Sequence, residues 1–170
     1  MNRFVLTWTL TVIATAGCTV FCSETAFAIA PFKKQFFETY VKEDPSSPTE
    51  TTLAEAANAK TGKCYVCHVN MTTKGESGLG KKIRNNYGRA LSQFLEKKNF
   101  SSERRKAEPD AVKAEIQAAL KKVAEIKSDP SNPDSPTFGE LIAAGKLPGN
   151  DIPDADDLAR AIKERDEEEE

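Results

Sequence analysis

The chain of 170 residues holds four cysteines, one histidine and two methionines, and two of the cysteines directly precede the histidine as Cys64-Tyr65-Val66-Cys67-His68. Two thiols three residues apart lie on one helical turn, so both can reach the same edge of a flat ring. An imidazole in the next position can turn towards a metal at the centre of that ring. This is the spacing at which haem is attached covalently, each thiol adding across one vinyl group to give a thioether. The imidazole binds the iron through one nitrogen, and the other donates a hydrogen bond that fixes its orientation. The residues therefore predict one covalent haem c, attached through Cys64 and Cys67, with His68 as an axial ligand of the iron.

Three other chemistries use the same residue types. A structural zinc site wants four ligands, and this segment offers three unless a carboxylate completes the set. A thioredoxin-like dithiol expects a neighbouring βαβ pattern, which the sequence lacks, and leaves the histidine without a task. A plain disulfide, the default for two cysteines of an exported protein, leaves it idle as well.

The opposite face of the iron is where the sequence falls silent. The methionine nearest the pentapeptide is Met71, and three residues span at most about 10 Å, too little to pass around a porphyrin edge and return to the iron. No second histidine exists. The sixth position is then empty, holds water, or takes an unusual donor such as a lysine, a tyrosine, a terminal amine or a group from another subunit. Two functions follow. An electron carrier needs no substrate pocket and exchanges electrons with redox partner proteins, whereas a five-coordinate iron admits a small gas or peroxide. Peroxide chemistry would need a polar distal acid or base other than histidine. A third role is that of a structural or docking piece in a larger respiratory assembly.

Haem is joined to such motifs outside the cytoplasmic membrane, and the start of the chain fits that route. Arg3, an apolar stretch over residues 4–21 and the small-x-small triplet Ala26-Phe27-Ala28 predict a signal peptide over residues 1–28 and an exported protein, periplasmic or secreted. Two alternatives are an uncleaved membrane anchor and a lipobox at Thr15-Ala16-Gly17-Cys18 that would lipidate Cys18. Cleavage leaves 142 of the 170 residues, discards Cys18 and Cys22, and leaves no stable membrane span. The 24 basic and 26 acidic side chains give a net charge of -2, which argues against nucleic acid as a partner.

The elements around the motif read as helices, giving an all-α fold. Pro31 opens a helix with Phe32, Phe36, Phe37, Tyr40 and Val41 on one face, broken over residues 44–48. An alanine-rich stretch over about 50–60 leads into the pentapeptide. After a glycine-containing loop, Leu79, Ile83, Tyr87, Leu91, Phe94 and Leu95 predict one amphipathic helix. Pro109 starts another on Val112, Ile116, Ala119, Leu120 and Val123, ended by Asp129-Pro130. Short helices on Phe138, Leu141 and Ile142, stopped by Gly145, and on Leu158 and Ile162, capped by Asp154, precede a solvated acidic tail at 166–170. The predicted division is a helical haem-binding domain over 31–128 and a loop-rich part with short helices over 129–170. The aromatic stripes read first as core, with Tyr65, Val66 and Leu79 better placed to touch haem. Arg84 and Arg89 are either partners for haem carboxylates or exposed helix charges.

Residues 60–95, with CYVCHVNMTTKGESGLGKKIRNNYGRAL at their centre, resemble the c-type cytochromes: the pentapeptide is followed by an Asn-x-x-Gly helix start or turn at Asn85 to Gly88. The resemblance implies a small helical cytochrome c-like domain with Cys64 and Cys67 as thioether residues and His68 as axial ligand. It does not extend to the rest of the chain, and the family's usual downstream methionine has no counterpart here.

Overall fold

A computed structural model describes residues 30–59, 62–71, 79–149 and 153–168. The fold is all-α: α1 (Ala30–Tyr40), α2 (Pro48–Asn58), the single turn α3 (Gly62–Tyr65), α4 (Asn86–Ser92), α5 (Ser102–Ala107), α6 (Pro109–Ala124), α7 (Phe138–Ala143) and α8 (Ala155–Glu168). Two 3-10 turns, Leu79–Lys81 and Lys97–Phe100, lie between them. Among the described residues extended pairing is confined to two isolated bridges, His68 with Arg84 and Lys127 with Thr137. The signal segment with Cys18, the centre of the glycine-containing loop and the last two residues of the acidic tail lie outside the described residues.

Local chemistry explains most boundaries. Ser47 caps α2 by accepting from the Glu50 amide, with Pro48 at the first helical position. Pro109 opens α6 in the same way, since a first-turn residue has no intrahelical use for its N–H. Thr137 and Glu140 form a reciprocal capping box on α7, and Gly145 just beyond its end takes φ +77°, a left-handed conformation that suits glycine. Asp154 accepts from the Asp156 amide at 3.0 Å and so starts α8.

The sequence pattern misled in four places. The stripe from Leu79 to Leu95 is not one helix but a 3-10 turn, an extended link and α4, because Asn85 caps α4 with its side chain and Ile83 and Arg84 pair with the segment after Cys67. The helix from Pro109 stops at Ala124, well before Asp129-Pro130, because Ile126 turns away to accept from the Phe138 amide at 2.9 Å. The one-and-a-half-turn α5 carries no apolar stripe to betray it. The acidic end is helical as far as Glu168, which pairs with Lys82 at 2.9 Å.

Two clusters form the interior. The larger joins α1, α2, α4, α6 and α7 around Phe36, Tyr87, Ile116, Leu120 and Phe138. Tyr87 lies edge-on to Phe36 and Phe138, with ring centroids 5.8 and 5.2 Å away. The Tyr40 hydroxyl donates to the Leu120 carbonyl at 3.1 Å and ties α1 to α6. The smaller cluster holds Val69, Leu79, Ile83 and Ala161, flanked by Met71, Leu158 and Ile162, and attaches α8. Among the described residues no helix is long and apolar enough to cross a membrane.

Candidate functional site

The pentapeptide occupies one helical turn. The Val66 amide donates to Gly62 at 3.3 Å, and the amides of Cys67 and His68 both donate to the Cys64 carbonyl, at 3.3 and 3.1 Å. Gly62 can start this turn against α2 because a Cβ there would collide with the Ala56 carbonyl. Both cysteines carry free thiols.

Immediately after the turn the chain pairs with residues 83–85. Val69 donates to the Ile83 carbonyl at 3.1 Å, and Asn85 donates to the Cys67 carbonyl at 3.1 Å. The same Ile83 carbonyl lies 3.2 Å from Nδ1 of buried His68. A carbonyl oxygen only accepts, so Nδ1 carries the hydrogen and Nε2 keeps its lone pair. Burial lowers the His68 pKa, with the nearby Arg84 charge adding to it against the opposing effect of the Ile83 bond. The imidazole is thus neutral at pH 7, in the tautomer a metal ligand requires. Burial also pushes the Cys67 thiol up to about 12, although Arg84 acts in the opposite sense.

Cys64, Cys67 and His68 line one cleft, open to solvent on one side, whose enclosed space is about 50 Å³. Phe32, Val66, Leu91 and Leu95 give it apolar walls, and Lys33, Lys63, Arg84 and Lys97 line it with positive charge. No described carboxylate lines it. In a chain of net charge -2 that is a local excess of the opposite sign. The lining, apolar walls with a cationic rim, suits the edge of a flat apolar group with acidic substituents.

The two arginines separate cleanly. Arg89 donates to the Arg84 carbonyl at 3.1 Å, bonds Asn86 and lies 3.7 Å from Asp157, so it is committed to holding helices together. Arg84 lines the cleft, and its side chain has no hydrogen bond or ion pair with another described residue. Of the aromatic and aliphatic stripe, Leu91 reaches the cleft, Phe36 and Tyr87 are core, and Phe94 is 39% exposed beneath Lys122. Val66 lines the cleft, whereas Leu79 and Met71 belong to the smaller cluster. Among the described residues no three His, Cys, Asp or Glu side chains converge on a common point, as a zinc tetrahedron would need.

The residue whose weight the sequence understated is Asn85. It has no exposed surface, and its Nδ2 reaches the carbonyls of Tyr65, Val66 and His68 at 2.9, 3.3 and 3.0 Å. Its Oδ1 accepts from the Gly88 amide at 2.9 Å. The Asn-x-x-Gly spacing is the visible signal for that cap, and nothing in it announces the bonds back to the pentapeptide.

No family model matches the chain, and neither the curated proteins nor the solved structures provide a match. Function therefore has to be argued from these side chains.

Proposed function

We propose that this protein is an exported, periplasmic or secreted haem protein of c-type cytochrome character, exchanging single electrons with redox partner proteins. The observation that carries the reading is the cleft itself: two free thiols and a neutral imidazole with Nε2 unengaged open into one apolar, cation-lined space. Haem, when bound, supplies a one-electron iron couple. Cys64 and Cys67 would hold the ring through thioethers. Each thiol would add its sulfur and its hydrogen across the two carbons of one vinyl group, an addition that needs no oxidant. Nε2 of His68 would take the iron, with Ile83 holding the ring's orientation from behind. Arg84 and Lys63, which line the cleft, could pair with the ring's carboxylates, and Phe32, Leu91 and Leu95 would shield it from water.

One feature supports a second reading, that of a haem protein binding a small gas or reducing peroxide. Apart from His68, the nitrogen and sulfur donors lining the cleft are the two thiols and basic side chains, and Met71 lies in the other cluster. A sixth position left open, or closed only by a lysine, would admit a small ligand.

Intact mass of the protein from a cell with haem-attachment machinery tests the first reading. A chain lacking residues 1–28 and heavier by one haem supports it, and a bare polypeptide overturns it. Rapid carbon monoxide binding by the native ferrous protein would favour the second reading over simple electron transfer.

A further inference from the structure

A helix one turn long leaves most of its carbonyls without intrahelical partners. Around the end of α3 those include the carbonyls of Tyr65 and of Val66 just past it, and the chain turns away at His68 before the next amides can reach back. Asn85 supplies the missing donor. One side-chain amide serves Tyr65, Val66 and His68, its oxygen caps α4 at Gly88, and its main-chain N–H serves Cys67. Aspartate would keep the cap and lose the donor, and alanine would lose both. The surrounding backbone is shaped to this side chain. A Cβ at Gly149 would overlap the Asn85 amide, and one at Gly88 would overlap the Cys67 carbonyl.

All these partners belong to the polypeptide, so the bonds that shape the turn do not involve a cofactor atom. We propose that Asn85 is a positioning residue for cofactor attachment: it presets the Cys64–His68 turn in the haem-free chain so that both thiols and the imidazole face one cleft. The inference rests on the haem reading of that cleft. It adds that the apoprotein is already organised for two thioether additions, instead of acquiring the turn from the haem.

The test compares wild type, Asn85→Asp, Asn85→Ala and the exposed control Asn58→Asp, each co-expressed with haem-attachment machinery. Mass spectrometry after thiol alkylation counts haem and residual free thiols per chain, and circular dichroism reports folding. Wild type and the control should carry haem on both cysteines. Folded Asn85→Asp should lose doubly attached product by about tenfold, the size expected when buried carbonyls lose their donor, with a single thioether accumulating. Folded Asn85→Asp loading like wild type overturns the inference and leaves the haem reading intact. Should that variant not fold, solvent exchange of the Asn85 side-chain amide in haem-free wild type decides: strong protection supports the clamp, and exchange as fast as that of Asn58 overturns it. Protection in a wild-type protein that never acquires haem would sink the haem reading and leave the clamp standing.

Discussion

The two halves of the Cys64–His68 turn lean on different parts of the interior. Val66 is a member of the large cluster, and Cys67 packs against it, within an interlocked set of aromatic rings from α1, α4 and α7. Val69, just past the imidazole, belongs to the small cluster, as does Ile83, whose carbonyl orients His68. That cluster has four buried residues and is closed by α8. Two partly exposed ion pairs, Lys82 with Glu168 at 2.9 Å and Arg89 with Asp157 at 3.7 Å, complete the attachment of α8. Thiols and imidazole, adjacent in sequence, therefore have unequal support: damage to the large cluster threatens the whole fold, and damage to the small one reaches the histidine first.

Substitutions of graded severity can break that contrast. Phe36→Ala, in the large cluster, should cost about 3–5 kcal/mol in denaturant titrations and lower the stability of every helix together. Ile83→Ala should cost about 2–4 kcal/mol, and amide exchange should show α8 and the Val69 segment opening while α1 and α6 stay protected. Simultaneous loss of protection everywhere would make the two clusters one unit. Tyr87→Phe goes the other way. The Tyr87 hydroxyl is buried without a partner among the described residues, and its removal should stabilise the chain by about 1 kcal/mol. Burial raises the Tyr87 pKa well above 10.0, so the folded chain keeps its proton where the unfolded chain releases it. Wild type should consequently lose stability as pH rises past about 10, and Tyr87→Phe should lose less over that range. Smallest is Lys82→Ala, below about 1 kcal/mol, with an effect that fades in high salt because the pair is exposed.

Much of this organisation is legible in residue order. Pro31, Pro109, Gly145 and Asp154 mark helix ends through conformational limits that act within a few residues, and the structure places ends at or beside each of them. The stripe through Leu79, Ile83 and Tyr87 deceived for the complementary reason. Its spacing satisfies a helix, but tertiary hydrogen bonds from Val69 and Asn85 outweigh local preference. The members of the candidate site were visible as residue types. Their support was not, because the bond from His68 to Ile83 and the contact of Gly149 with Asn85 depend on how distant segments meet.

The hydrogen bonds that shape the Cys64–His68 turn have a kinetic consequence. Those from His68 to Ile83 and from Asn85 to Tyr65 span 15 and 20 residues, whereas Tyr40 to Leu120 and Gln117 to Gln35 in the main core span 80 and 82. Closing a shorter loop costs less chain entropy, so the turn and its asparagine can meet before α1 finds α6. In a refolding experiment the segment around Cys67 should gain protection ahead of the aromatic interior, and a chain still assembling its core would already present both thiols.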